Sequence, residues 1–331
     1  MRVFRLIVLM LSTAVVSATL LSISALATTA KEQTPRVVVS IAPVHSWVSQ
    51  VSGDLWQPAL LLSAQQDPHN ALLRPSQRAL VAEADWVIWL GPQLETGLVS
   101  LLRRVPSERQ WRLTSEEVDL IHYEFRASGT VFSQEAHSSR VPEHLAQFHD
   151  HGHDHEFDDV DPHLWLHPEN ARRAMQHIAA QLSQLDPANA RTYQRNAAQA
   201  IAELLAHEQR WSDRLASVSK PYVVFHDGYQ YFDRAFDLPF AGSVTLNPEQ
   251  LPGLRTLNEM RTALEDGAFG CLFAEAQYAD RLVSTVAEGF ALPVGRLDAL
   301  GITLEPGQQQ YVQLIDQLVT EFTACDGQPV S

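Results

Sequence analysis

After Pro187 no Gly or Pro interrupts the chain until beyond Val218. At 1.5 Å per residue that stretch makes a rod on the order of 45 Å, longer than one small hydrophobic core requires. Asp186 is a plausible N-cap and Pro187 a plausible first helical residue. A kinked helix pair is the alternative. Whatever the chain folds into must place this rod between the segments on either side of it.

Those segments share one style. Before the rod, Val37-Val-Val-Ser-Ile41 is a β-branched run that reaches Ala42-Pro43 and a helix around His45 to Val51. Pro58 to Leu62 is a second short strand, Pro75 opens a helix to Glu83, and Asp85 to Leu90 is a third strand, ended by Gly91-Pro92. After the rod, strands at Tyr222 to Phe225, Cys271 to Ala274 and Pro293 to Leu297 alternate with helices at Leu254 to Glu265 and Asp280 to Phe290. A last amphipathic helix lies within Pro306 to Cys325. Short apolar strands alternating with helices imply an α/β class of two lobes, each a parallel sheet covered by helices. The expected organisation is a first lobe over residues 28–186, a linking helix over 187–218 and a second lobe over 219–331.

Residues 1–27 read as an export signal. Arg2 and Arg5 precede an apolar run to about Ile23, and Ala25-Leu26-Ala27 fits a small-x-small cleavage site, the rival being an uncleaved anchor. Removing them takes the 24 basic and 39 acidic residues to a formal charge of −17, two below the −15 of the whole chain. Such acidity disfavours nucleic acid, whose phosphates need a basic face. Cys271 and Cys325 are the 2 cysteines of the chain. In an oxidising compartment they are expected to form one bridge, with two free buried thiols as the alternative.

Eight of the 14 histidines fall between His137 and His167. His149, His151, His153 and His155 alternate with Asp and Gly, and Glu156, Asp158, Asp159 and Asp161 follow. Imidazoles and carboxylates are ligands for borderline divalent cations, and a packed core cannot use so many in a row. Residues 137–159 therefore read as a weakly ordered, metal-attracting insertion, or as a solvated loop that binds metal only adventitiously. Ordered backbone presents three others. His69 lies between a strand and a helix, His163 just before a helix, and His226 directly after the strand Tyr222 to Phe225. In parallel α/β sheets ligands collect beyond the carboxyl ends of strands, and all three positions suit that place. His167 competes with His163 or serves as a helix-entry group, and His45 could also face the cleft. His122, His177 and His207 read as surface positions.

The stretches His69-Asn-Ala-Leu-Leu-Arg-Pro-Ser76, Trp89-Leu-Gly-Pro92, His163-Leu-Trp-Leu166, Val224-Phe-His-Asp-Gly-Tyr229, Phe273-Ala-Glu-Ala-Gln277 and Leu297-Asp-Ala-Leu-Gly301 resemble the metal receptors of ABC importers. The likeness is greatest to the ZnuA-type periplasmic zinc-binding proteins. It implies a cleft metal on His69, His163 and His226, a disulfide between Cys271 and Cys325, and a soluble periplasmic monomer that serves a membrane permease. Where many such receptors carry Glu directly before the first ligand, this chain has Pro68. A fourth ligand is expected from Asp298 or water, with Glu275 and Asp67 as further candidates. Asp298 and Glu275 could instead orient an imidazole. Three neutral imidazoles suit tetrahedral Zn²⁺, whereas Mn²⁺ favours more oxygen. The competing readings are a manganese or iron receptor of the same fold and an exported zinc hydrolase. No catalytic constellation, phosphate loop or dinucleotide fingerprint stands out, so the chain is not expected to be an enzyme.

Overall fold

The computed structural model describes residues 34–126, 160–245, 254–278 and 292–327, together with 283, 287 and 288. The first sheet has strands β1 (Val37–Val39), β2 (Ala59–Leu60), β3 (Trp86–Trp89) and β4 (Gln110–Arg112) in the order β2-β1-β3-β4. Its helices include α1 (Ala42–Ser52), α2 (Pro75–Glu83) and the short α3 (Val99–Leu102). α4 (Pro168–Leu185) and the long α5 (Ala190–Leu215) follow. The second sheet comprises β5 (Tyr222–His226), β6 (Phe240–Thr245), β7 (Cys271–Glu275) and β8 (Val294–Leu297) in the order β6-β5-β7-β8. With it come α6 (Gln230–Phe236), α7 (Leu254–Glu265) and the C-terminal α8 (Gln310–Asp326). Every strand pair in both sheets is parallel, so the α/β class read from the alternating strands and helices is the observed one.

Side chains on successive strand residues point to opposite faces, and the second sheet uses both. Tyr222 and Val224 of β5, with Cys271 and Phe273 of β7, join the main core. The intervening Val223, Phe225, Leu272 and Ala274 pack with Met260, Leu264 and Phe269 in a separate core on the other side. A strand buried on both faces must be apolar throughout, which is why these runs show no polar alternation.

The boundaries expected at the rod shift by a few residues. Asp186 is both the C-cap of α4 and the N-cap of a 3-10 turn, Pro187–Asn189, which opens on Pro187 as expected, and α5 begins after that turn. The Asp186 carboxylate accepts from Asn189 Nδ2 at 2.8 Å and from Tyr193 OH at 2.7 Å, so it staples the corner between the two helices. β4, β6 and α6 were not expected from the sequence. β4 and β6 are edge strands, and Gly242 and Ser243 dilute the apolar signal of β6.

α5 is bonded to both lobes. Near its start Trp56 Nε1 donates to Tyr193 OH at 2.9 Å, and Asn196 Nδ2 donates to Val51 O at 3.1 Å. One turn from its end Trp211 Nε1 donates to Asp316 Oδ1 of α8 at 2.5 Å. α8 in turn lies against α1, where Trp47 meets Tyr311 edge to face at 5.5 Å and Tyr311 N donates to Ser46 Oγ at 3.1 Å. Trp165 Nε1 donates to Ala299 O at 2.8 Å, and Tyr311 OH returns a bond to Trp165 O at 3.0 Å. Trp47, Trp165 and Tyr311 are all buried. The two sheets are thus joined by a filled, hydrogen-bonded seam, which leaves little freedom for a hinge.

The expected cysteine bridge is present. Cys271 at the start of β7 joins Cys325 at the end of α8, with Cα atoms 6.0 Å apart across a sequence separation of 54. Closing a loop of that length removes about 4 kcal/mol of chain entropy from the unfolded state. Replacing both cysteines by Ser is expected to lower unfolding free energy by roughly 2–4 kcal/mol in urea titration. An unchanged midpoint would show that the bridge contributes nothing.

Candidate metal centre

Two loops and the last residue of β5, at the carboxyl ends of the two sheets, bring His69, His163 and His226 together. One ring nitrogen from each lies within 4.8 Å of the other two. Ring centroids are 5.7 Å apart for His69 and His163, 5.6 Å for His69 and His226, and 4.9 Å for His163 and His226. Imidazoles bound to one tetrahedral zinc at Zn–N distances near 2.0–2.1 Å have centroids about 5 Å apart. The rings already stand at that spacing.

A short local device recurs at the first two positions. Asp67-Pro-His69 and Asp161-Pro-His163 are the same tripeptide, and in each the His backbone N–H donates to the Asp Oδ1 two residues earlier, at 3.0 Å. This Asx turn reverses the chain so that the His side chain leaves the end of the segment. His226 is placed differently, as the last residue of β5, where its backbone N–H donates to Glu275 Oε1 on the neighbouring strand β7 at 3.0 Å.

The carboxylates also decide which nitrogen faces inward. His163 Nδ1 donates to Asp161 Oδ1 at 2.7 Å, and His226 Nδ1 lies 3.0 and 3.1 Å from the two Glu275 oxygens. A ring that donates from Nδ1 to a carboxylate keeps its Nε2 lone pair for an electrophile. His226 Nε2 is buried and has no hydrogen-bond partner, which is the state of a ligand atom built for a cation. Gly228 completes the cradle. A Cβ there would stand 2.5 Å from His226 Cε1, 3.1 Å from His226 Nε2 and 3.2 Å from His163 Nε2.

Burial and charge set the protonation of the rings. His69 is pushed down to about 2, by burial first and then by repulsion from His163 and His226. For His226 burial is the largest effect and pulls the pKa down, but Glu275, Asp227 and Asp161 together outweigh it and leave it raised. Asp161 is held below the ordinary carboxylate value. Burial, the largest effect, pushes it up, but contacts with His163 and Gln230 overcome that. Asp227 is raised to about 6, mainly by burial and against the pull of Arg126.

The remaining candidates fall elsewhere. Asp298 is not part of the three-histidine group; its carboxylate accepts the backbone N–H groups of Leu300, Gly301 and Ile302 at 3.0, 2.8 and 2.7 Å. Asp67 Oδ2 accepts from Tyr278 OH at 3.2 Å. His45 is buried in α1 and bonds Pro58 O at 3.0 Å, tying that helix to the segment before β2. His167 is the helix-entry group of α4, its ring accepting from Glu169 N–H at 3.2 Å. His122 bonds Leu113 O at 2.8 Å, and His177 stacks on Trp111 at 4.2 Å. His149, His151, His153 and His155, with the whole 137–159 tract, lie outside the described residues. The role of Asp161 was missed by sequence reasoning, although the repeated Asp-Pro-His tripeptide was the signal for it.

Two parallel sheets with a histidine cluster that could hold a metal ion at their carboxyl ends suit a substrate-binding transport protein. The sequence matches the family described as zinc-uptake complex component A, periplasmic, over residues 37–325. The chain belongs to that family. A protein named high-affinity zinc uptake system protein ZnuA from Brucella abortus (strain 2308) is 32% identical over 312 residues, covering 87% of this chain and 91% of the relative. One of the same name from Paracoccus denitrificans (strain Pd 1222) is 33% identical over 306 residues, covering 90% and 94%. In fold the chain resembles a crystal structure of ZnuA with a TM-score of 0.70 at 20% identity, over 89% of this chain and 100% of that one. It also resembles a zinc-bound ZnuA lacking residues 138–173, with a TM-score of 0.69 at 21% identity, over 90% and 100%.

Two outcomes follow from this geometry. Gly228→Ala is expected to weaken zinc binding at least tenfold by pressing on two imidazoles, with little change in the urea midpoint; a variant that binds like the parent contradicts the cradle. A proton on His226 competes with a cation. Affinity is therefore full above its raised pKa and falls as pH drops through it, beginning above the ordinary value of 6.5, whereas His69 stays neutral and adds nothing to the slope. Competitive titrations that give one affinity from pH 8 to pH 6 would refute that order.

Proposed function

We propose that this chain captures Zn²⁺ in the periplasm on His69, His163 and His226 and delivers it to the permease of an ABC importer. The observation that carries the reading is the convergence of three ring nitrogens within 4.8 Å, two of the rings held by buried carboxylates. Zinc is the cargo, and relatives at about a third identity bear the name of a zinc uptake protein. Three nitrogens leave one tetrahedral position for water or an anion. Asp298 accepts three backbone amides, two on Oδ1 and one on Oδ2. A manganese or iron receptor would need more oxygen donors than this ring cluster offers.

The same bonds argue against catalysis. A zinc hydrolase needs a general base beside the open position. Both Glu275 oxygens lie against the His226 ring, and the two Asp161 oxygens are taken by His163 and Gln230. We further infer that residues 1–27 are removed on export, that the mature chain acts as a monomer, and that the 137–159 tract gathers zinc more weakly than the cleft. No helix among the described residues is long and apolar enough to cross a membrane.

Competitive metal titration of the mature chain tests the reading. The expected result is one tight zinc site, weakened at least a hundredfold when any of His69, His163 or His226 becomes Ala. It should survive deletion of residues 137–159. A parent chain with no tight site, or alanine variants that keep it, would overturn the proposal.

A further inference from the structure

The three rings come from different parts of the fold, so something must fix the spacing between the first-lobe His163 and the second-lobe His226. The first turn of α6, one turn beyond His226, meets the segment that carries His163. Gln230 is buried, and its Nε2 donates to Asp161 Oδ2 at 3.1 Å and to Glu124 O at 2.9 Å. Both partners only accept, which fixes the orientation of the amide. The other Asp161 oxygen is the one that holds the His163 ring. Beside it, the buried Tyr231 hydroxyl donates to Asp161 O at 3.0 Å and accepts from Tyr123 N–H at 2.8 Å. Glu124 and Val160 are themselves bridged as antiparallel partners. Asp161 is thus gripped at both its side chain and its carbonyl by the element that follows His226.

We propose that Gln230 and Tyr231 are positioning residues that set the distance between His163 and His226 and so fix the size of cation the site accepts. The inference rests on the zinc-receptor reading above. A rigid spacing matched to Zn–N bonds near 2.0–2.1 Å excludes ions that need longer bonds and more ligands. Without the lock, the two lobes' ligands can separate, and the preference for zinc over manganese narrows. The lock acts through Asp161 and touches no cation itself.

The test uses the full mature chain with Gln230→Met and Tyr231→Phe, each of which removes the hydrogen-bonding group and keeps most of the volume. Zinc and manganese affinities are measured by competition, and Co²⁺ is added as a spectroscopic probe of tetrahedral geometry. Leu182→Ala, which empties a buried position near the end of α4, serves as the stability control. In each lock variant zinc affinity is expected to fall about tenfold. Manganese affinity should hold or rise, and the Co²⁺ visible band should weaken. Leu182→Ala should lower the unfolding midpoint without moving the zinc-to-manganese ratio. If the lock variants change only the midpoint, or lower both affinities equally, the inference fails while zinc binding by the parent stands. Should the parent itself lack a tight zinc site, the functional reading fails first.

Discussion

A carboxylate that holds one nitrogen of a buried imidazole is the interaction on which this structure depends. Glu275 does this for His226 across the β5–β7 pairing, and Asp161 does it for His163 across a single turn of chain. Without such a partner a buried neutral ring is free to rotate and to exchange tautomers, and its lone pair has no fixed direction. With it, the outward nitrogen is committed to an electrophile before any ion arrives. The carboxylates also carry negative charge into a region poor in water, where an arriving dication is the natural compensation. Arg126 tempers that charge behind the site, bonded to Asp227 at 2.9 Å and to Asp233 at 2.5 Å.

The fold serves this arrangement by keeping its parts still. Hinged binding proteins close two lobes around cargo, and their seams must be able to part. Here Trp47, Trp165 and Tyr311 fill the seam, α5 is bonded to both lobes, and Asp161 is gripped by α6. Parting such a seam would expose several large aromatic faces and break buried hydrogen bonds together, a change costing many kcal/mol. The cradle so held keeps one ring nitrogen of each histidine within 4.8 Å of the other two.

Much of this was legible in the sequence. Strand–helix alternation gave the two parallel sheets, because a strand buried on both faces has to be apolar from end to end, as Tyr222 to Phe225 and Cys271 to Ala274 are. The three histidines could be singled out because strand ends and helix entries are where such folds expose functional groups. Of the four edge strands, β2 and β8 were expected and β4 and β6 were not, because pairing on one side tolerates weak patterns such as Gln110–Arg112. Asp186 before Pro187 both ends one helix and starts the next turn, and its bond to Tyr193, which ties the corner together, could not be read from that local pattern.

The sequence by itself determined the local chemistry: which residues form strands, where the turns fall, and that Asp-Pro-His places a carboxylate beside its own histidine twice. What only the tertiary structure decided is which groups meet. Glu275 is 49 residues from His226, and Gln230 is 69 residues from Asp161. Nothing in their local patterns distinguishes them from acids and amides on a solvated surface. The three backbone amides that Asp298 accepts are likewise a contact that no local pattern announced. Long-range pairing depends on how sheets stack and seams fill, and those are properties of the packed whole that no short window of residues encodes.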